Sequence, residues 1–156
     1  KAKELQYHTK MINSGRYVND SMGRYIGKKV VKKIISQGKN ILGAHVLVMG
    51  MTFKENVSDI RNSKVADIIN EFKDFGAEVD VMDPFASPLE VLQEYGIRLV
   101  ERPGKKYDAV VVAVAHTTYL KLDESYFMSI TNEHAVLADV KGVYRGSIHQ
   151  MIYWSL

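Results

Sequence analysis

The segment from Tyr107 to Val114 limits the possible folds of this chain more than any other. Its sequence, YDAVVVAV, is apolar apart from Asp108 and rich in β-branched side chains. A strand with one face in water alternates apolar and polar residues, whereas a strand without this alternation has both faces covered. The segment therefore predicts the central strand of a sheet that carries helices on both faces.

Other segments have the character of strands and helices in alternation. An apolar face at helical spacing predicts a helix that is capped by Asn62 or Ser63 and stopped by Gly76. The motif SPLE at 87–90 predicts a second helix, with serine as N-cap and proline in the first position. Short apolar runs predict the other strands, at 45–50, 78–82, 97–100 and 135–140.

Strands that alternate with helices favour parallel pairing with right-handed crossovers. The predicted fold class is therefore α/β, a Rossmann-like doubly wound parallel sheet of about five strands, preceded by a long amphipathic helix. The expected division is a helical region at 1–38 and a sheet domain at 39–156.

The long helix is indicated by apolar residues that recur at three- and four-residue steps from Tyr17 onward. Gly38 predicts its end, because glycine readily adopts the left-handed conformation that closes helices. Gly23 and Gly27 lie four residues apart and would share one face of the helix. That spacing would let another helix approach closely.

Composition excludes several classes of function. The 21 Lys and Arg residues against 18 Asp and Glu leave a formal charge of +3, far from the basic stripe of a nucleic-acid-binding protein. The absence of cysteine excludes disulfides, thiolate ligands and a cysteine nucleophile within these residues. No apolar run approaches the roughly 20 residues that span a bilayer, so we expect a cytoplasmic protein without membrane insertion. Because the chain opens on Lys1 rather than methionine, we expect it to be part of a longer protein.

The loop from Met51 to Ser63 follows the first predicted strand, and ligands of open α/β sheets bind at the carboxyl ends of strands. It lacks the spaced glycines of a dinucleotide fingerprint, so we do not expect it to bind NAD. It carries Lys54 and Arg61 near the start of a helix, where free backbone N–H groups favour anions. A phosphate or diphosphate is the expected ligand. Alternatively, Arg61 pairs with Asp59 and only shapes the loop.

Two further polar residues follow predicted strands. Asp83 occupies the position where nucleotide-binding folds often place an acid on ribose hydroxyls, but Asp-Pro is also a common turn opener, and the turn is favoured here. His116 is interpreted as a polar loop residue rather than a catalytic one. No zinc-protease, Walker or paired-carboxylate pattern is present, so neither catalytic nor metal-binding residues are predicted.

Four motifs, in order, resemble the C-terminal UDP-binding domain and central dimer helix of the UDP-glucose/GDP-mannose dehydrogenase family. They are KAKEL with GRYVNDSM, GMTFKEN with DIRNS, VMDP and AVAH. The NDSM and DIRNS variants are most similar to family members that act on UDP-N-acetylhexosamines for capsule or O-antigen synthesis. The resemblance implies an oxidation of the C6 alcohol to a carboxylate in two hydride transfers. It also implies that a separate N-terminal domain supplies both NAD and a cysteine nucleophile.

The resemblance implies that several residues bind the UDP-sugar. Phe53 would present backbone groups or a ring edge, and Lys54 a charge to the diphosphate or sugar. Lys141 matches a cation that the family places on the substrate after the last strand, with a solvated lysine as the alternative. Arg61 is included as a substrate contact that could instead only hold its loop.

The resemblance also implies a homodimer built by the long helix. Arg16 is similar to an arginine that reaches the substrate of the neighbouring subunit, so Arg16 and Asn19 would act in trans.

Two functions of different classes are consistent with these features. The first is the UDP-sugar-binding part of an NAD-dependent dehydrogenase. The second is a stand-alone nucleotide-sugar-binding regulatory module without catalysis, which the lack of a nucleophile allows. An NAD-binding domain in its own right is disfavoured by the missing glycine fingerprint.

Overall fold

The computed structural model describes the backbone of residues 2–156 and the side chains of residues 17, 18 and 20–156. Its centre is a five-stranded sheet in which every pair is parallel, in the order β2-β1-β3-β4-β5. The strands are β1 (His45–Met49), β2 (Glu78–Met82), β3 (Tyr107–Val112), β4 (Thr131–Asp139) and β5 (Ile152–Ser155). The predicted Rossmann-like parallel sheet is confirmed.

Helices cover both faces of the sheet. They are α1 (Ala2–Ser36), α2 (Val65–Asp74), α3 (Pro88–Tyr95) and α4 (Glu124–Ser129), with a short 3-10 helix at Tyr119–Lys121. Within the part of the chain that the structure describes, no helix combines the length and the apolar character that crossing a membrane requires.

Strand β3 divides its side chains between two hydrophobic cores. Ala109 and Val111 face the core that α1, α2 and α3 close, whereas Val110 and Val112 face the core beneath Phe127 of α4. All four side chains are fully buried. The uninterrupted β-branched run is therefore explained by helices on both faces, as predicted.

The start of α3 follows the expected capping chemistry. Ser87 Oγ accepts a hydrogen bond from Glu90 N, and Pro88 is the first helical residue. Gly96 closes the helix in the left-handed conformation, with φ of 66°. The start of α2 is different, because the N-cap is Lys64 and its side chain makes no capping hydrogen bond. The prediction that Asn62 or Ser63 caps this helix is wrong, although Ser63 Oγ accepts from Val65 N.

Two of the predicted strands need correction, and two elements are additional. The strand expected at 97–100 is reduced to a single parallel bridge between Leu99 and Val81 at the outer edge of β2. Strand β4 begins at Thr131, ahead of the predicted 135–140. Strand β5 and helix α4 were not predicted.

Gly23 and Gly27 of α1 bring this helix against α2. A Cβ built on Gly23 would lie 2.6 Å from Asp67 Cβ, and one built on Gly27 would lie 2.7 Å from Glu71 Cβ. The close approach that their spacing predicted is therefore confirmed, with α2 of the same chain as the neighbour. Ile26 and Val30 extend this contact into the main core.

We expect Gly27→Ala to destabilise the protein by about 1–3 kcal/mol, because the added methyl group overlaps Glu71 Cβ, which cannot move away unless the backbone of α2 shifts. Helix propensity alone would favour alanine by about 1 kcal/mol, so the sign of the change reports the packing. Chemical denaturation measures it. Gly104→Ala, where a Cβ meets nothing within 4 Å, is the control. A stabilised Gly27→Ala variant would contradict the close packing.

Candidate functional site

The loops that follow β1, β3 and β4 meet at one edge of the sheet and face α1. Between them and the helix lies a cleft of about 770 Å³, a size typical of small-molecule sites. Its polar and apolar lining comes from α1, the loop after β1, the start of α2 and the loop after β4. The lining includes Asp20, Gly23, Thr52, Phe53, Lys54, Glu55, Lys64, Val114, Lys141 and Leu156.

Three lysines line this cleft. Lys64 Nζ lies 2.6 Å from Asp20 Oδ1, and Lys141 Nζ lies 3.6 Å from Glu55 Oε1. Among the side chains that the structure describes, Lys54 is the cation of this cleft that forms no ion pair. The pKa of Glu55 is lowered by a hydrogen bond from its own backbone N–H and by the nearby Lys141, which together outweigh the effect of its partial burial. This carboxylate is therefore charged at neutral pH.

The structure brings together three of the residues predicted to bind the substrate. Phe53, Lys54 and Lys141 all line the cleft, and the ring of Phe53 is 60% exposed. Lys64 joins them although it was not predicted. Its position at the start of α2 was the available signal, because the free N–H groups of that helix start were already expected to favour anions.

Arg61 lies outside the cleft. It pairs with Asp59 through two hydrogen bonds of 2.9 Å and lines a separate groove beside α3. The hydrogen bonds from Arg61 lower the pKa of Asp59 to about 2. The structure thus contains the Arg61–Asp59 pair that one of the two interpretations of Arg61 expects. The side chains of Arg16 and Asn19 lie outside the described residues.

A buried carboxylate holds the loop after β1 in place. The side chain of Asp83 is fully buried, and its Oδ2 accepts hydrogen bonds from Met51 N at 2.6 Å and Thr52 N at 3.1 Å. Its Oδ1 accepts from Phe85 N and Ala86 N, at 2.7 and 2.9 Å. The turn interpretation of Asp83 is thus confirmed. With both oxygens engaged, this carboxylate is not presented to ribose hydroxyls.

His116 is the fifth donor to Asp83. Its Nε2 lies 3.0 Å from Asp83 Oδ2, and its ring is fully buried against Phe85 and Tyr119. Burial raises the pKa of the Asp83 carboxyl. The hydrogen bonds from His116 and three backbone N–H groups outweigh that effect and bring the pKa down to about 2. His116 therefore belongs to the framework of the loops.

A second buried carboxylate holds the turn that carries Lys141. Asp139, at the end of β4, accepts hydrogen bonds from Gly142 N at 2.8 Å and Tyr144 N at 2.7 Å. It also accepts one from the hydroxyl of Tyr153 on β5 at 2.8 Å. Burial and this hydrogen bond raise the pKa of Tyr153 to about 12. Strand β5 therefore contributes to the site by supporting the Lys141 turn.

The comparison with protein families shows to which family this chain belongs. The model of the UDP binding domain of the UDP-glucose/GDP-mannose dehydrogenase family matches residues 47–146. The chain belongs to this family.

Individual relatives agree with the family assignment. The UDP-N-acetyl-D-glucosamine 6-dehydrogenase of Pseudomonas aeruginosa is 39% identical over 142 residues, which are 90% of this chain and 34% of that protein. Protein CapL of Staphylococcus aureus is 38% identical over 144 residues, 92% of this chain and 34% of that protein. The chain thus spans about a third of the length of these relatives.

Solved structures agree as well. The UDP-N-acetyl-mannosamine dehydrogenase Cap5O from S. aureus matches with a TM-score of 0.76 at 25% identity, covering 96% of this chain and 34% of that chain.

The residues at the head of this sheet do not fit NAD, the cofactor of the UDP-glucose/GDP-mannose dehydrogenase family. Gly50 is the one glycine in the loop after β1, and a Cβ there would lie 2.5 Å from Val114 Cβ. This glycine therefore serves the packing of two loops rather than the approach of a pyrophosphate. Asp83, at the position of a ribose-binding acid, has both oxygens engaged. Among the described side chains, no cluster of three metal-ligating residues is present either.

Proposed function

We propose that this chain is the UDP-sugar-binding part of an NAD-dependent UDP-sugar 6-dehydrogenase, with a UDP-N-acetylhexosamine as substrate. The observation that carries the proposal is the convergence of Lys54, Lys64 and Lys141 on one cleft, next to the exposed ring of Phe53. The names of the relatives from P. aeruginosa and S. aureus support the substrate class.

The charges of the cleft suit a nucleoside diphosphate. A sugar diphosphate carries two negative charges, and the lining offers three lysines against the carboxylates of Asp20 and Glu55. Lys54, which has no carboxylate partner among the described residues, supplies the first contact with phosphate or sugar oxygens. Lys141, in the loop after β4, and Lys64, at the start of α2, add further positive charge, and Phe53 provides apolar surface.

The oxidation itself would use groups outside these residues. In the proposed enzyme another domain would hold NAD and the cysteine nucleophile, and NAD would supply the hydride acceptor. The part of this chain is to bind and orient the nucleotide sugar. We also propose a cytoplasmic homodimer built by α1, in which Arg16 and Asn19 reach the substrate of the neighbouring subunit, with capsule or O-antigen synthesis as the purpose.

Calorimetric titration of the chain with UDP-N-acetylglucosamine, UDP-glucose and NAD tests this proposal. We expect the UDP-sugars to bind, the acetamido sugar more tightly, and NAD to show no saturable heat. Saturable binding of NAD without UDP-sugar binding would overturn the proposal. A coding sequence upstream that lacks both a glycine fingerprint and a cysteine would favour the alternative, a regulatory module that binds nucleotide sugars without catalysis.

Asp20→Asn is expected to tighten the binding of UDP-N-acetylglucosamine about two- to fivefold, because it releases Lys64 from its 2.6 Å ion pair and removes a negative charge from the cleft. Titration at low salt measures the change, which should shrink as ionic strength rises. Asp74→Asn, the same charge change at the far end of α2, is the matched control. Equal gains from both variants would show that the ion pair has no special part in binding.

A further inference from the structure

The loop that presents Phe53 and Lys54 is folded around the buried ring of His116. His116 Nδ1 accepts a hydrogen bond from Asn56 N at 3.0 Å. On the other side of the ring, Nε2 lies 3.0 Å from Asp83 Oδ2 and 3.3 Å from Thr52 Oγ1. The imidazole thus touches the loop on both sides of Lys54.

These partners determine the protonation of the ring. Because Asn56 N is a donor, Nδ1 must be unprotonated and accept, and Nε2 therefore carries the hydrogen that is shared between Asp83 and Thr52. Thr52 Oγ1 in turn donates to the backbone carbonyl of Lys54 at 2.9 Å. The neutral Nε2–H form of His116 is the one that matches all of these contacts.

The backbone at Asn56 has an unfavourable conformation, which hydrogen bonds such as the one to His116 help to stabilise. Its φ of 57° lies in the left-handed region, which costs most L-residues about 1 kcal/mol and is best tolerated by glycine and asparagine. The Asn56 side chain adds a second tie, since its Oδ1 accepts from Thr117 N at 2.9 Å. The turn is therefore held closed from the segment that follows β3.

We propose that His116 is a positioning residue for the UDP-sugar site: as an acceptor through Nδ1 it closes the turn that delivers Lys54 to the cleft. This inference rests on the proposed function, because it concerns affinity at the same cleft. Asp83 has a different role: by accepting a hydrogen bond from Nε2 it favours the tautomer in which Nδ1 is an acceptor.

Two conservative variants distinguish the contributions of the two ring nitrogen atoms. His116→Asn places an amide oxygen near the position of Nδ1 and keeps an acceptor for Asn56 N, but does not reach Asp83. His116→Gln places an amide group near the position of Nε2 and keeps a donor for Asp83, but leaves Asn56 N without its acceptor. Thermal unfolding of both gives the order of stability, in which glutamine should be the more stable because Asp83 stays paired.

Affinity should follow the opposite order. We expect His116→Gln to weaken UDP-N-acetylglucosamine binding about tenfold, and His116→Asn to recover most of that loss despite its lower stability. If affinity instead follows stability, with glutamine binding as tightly as the unmodified chain, His116 is only structural and the inference is wrong. Failure of the unmodified chain to bind any UDP-sugar would overturn the proposed function as well.

A second measurement needs no variant. Nitrogen and proton spectra of the histidine side chains at neutral pH should show a hydrogen on Nε2 of His116 and none on Nδ1. A hydrogen on Nδ1 would overturn the inference, because Asn56 N could then not donate to the ring.

Discussion

Replacement of Asp83 by alanine should lower the free energy of unfolding by about 3–5 kcal/mol. The side chain is fully buried, and four backbone N–H groups and His116 donate to it. Alanine would leave these donors in an apolar setting without an acceptor. Chemical denaturation at neutral pH measures the change.

A matched control separates this network from ordinary loss of a carboxylate. Asp123 is exposed and accepts one hydrogen bond, from Tyr126 N at the start of α4. Asp123→Ala should cost about 1 kcal/mol, the usual value of a helix cap. Equal losses at the two positions would show that the network around Asp83 adds nothing to stability.

The same carboxylate should make the fold sensitive to acid. Its pKa is about 2 in the folded chain, against an ordinary value of 3.8. A depressed pKa contributes stability above the unfolded value and loses it as the pH falls toward the folded one. We therefore expect a contribution of roughly 2 kcal/mol that is complete above about pH 5 and declines toward pH 2. Asp83→Asn should show a correspondingly shallower dependence of stability on pH.

Replacement of Lys54 by alanine should weaken the binding of UDP-N-acetylglucosamine by about 1–3 kcal/mol, or roughly 5- to 150-fold. Lys54 is exposed, lines the cleft and has no carboxylate partner among the described residues. Its charge is therefore open to a phosphate oxygen before any ion pair has to break. Calorimetry at constant ionic strength gives the ratio of dissociation constants.

Arg61 provides the control for Lys54, because it is an exposed cation of the same loop that pairs with Asp59 and lies outside the cleft. Arg61→Ala should change the affinity less than twofold. If Arg61→Ala weakens binding and Lys54→Ala does not, the substrate lies in the groove beside α3 and the assignment of the cleft is wrong.

The sequence was sufficient for the elements whose burial creates a strong pattern. Each of three patterns reflects one physical requirement and predicts the observed structure: the run at 107–114, the glycine spacing in α1 and the SPLE start of α3. Strand β5 has half-buried residues and four positions only, too few for a period. After the buried Thr131, strand β4 continues with three exposed polar residues, including His134 at φ of 55°, so its apolar pattern starts late.

Site residues could be predicted from the sequence only where they lie within a motif or directly after a predicted strand. Phe53 and Lys54 are neighbours within the motif after β1, and Lys141 follows a strand. The ion pair of Lys64 with Asp20 joins residues 44 apart, and the contact of His116 with Asp83 joins residues 33 apart. The first pair depends on the packing of α1 against α2, and the second on how the parallel strands bring their carboxyl ends together. Local patterns encode neither.

Backbone amide resonances of the isotope-labelled chain, followed during titration with UDP-N-acetylglucosamine, would locate the binding site and so test whether the nucleotide sugar occupies the cleft of the three lysines. We expect saturable shifts at Phe53, Lys54, Lys64 and Lys141, with little change in the groove of Arg61 and Glu90. Saturable shifts confined to that groove, or none at the three lysines, would contradict this assignment.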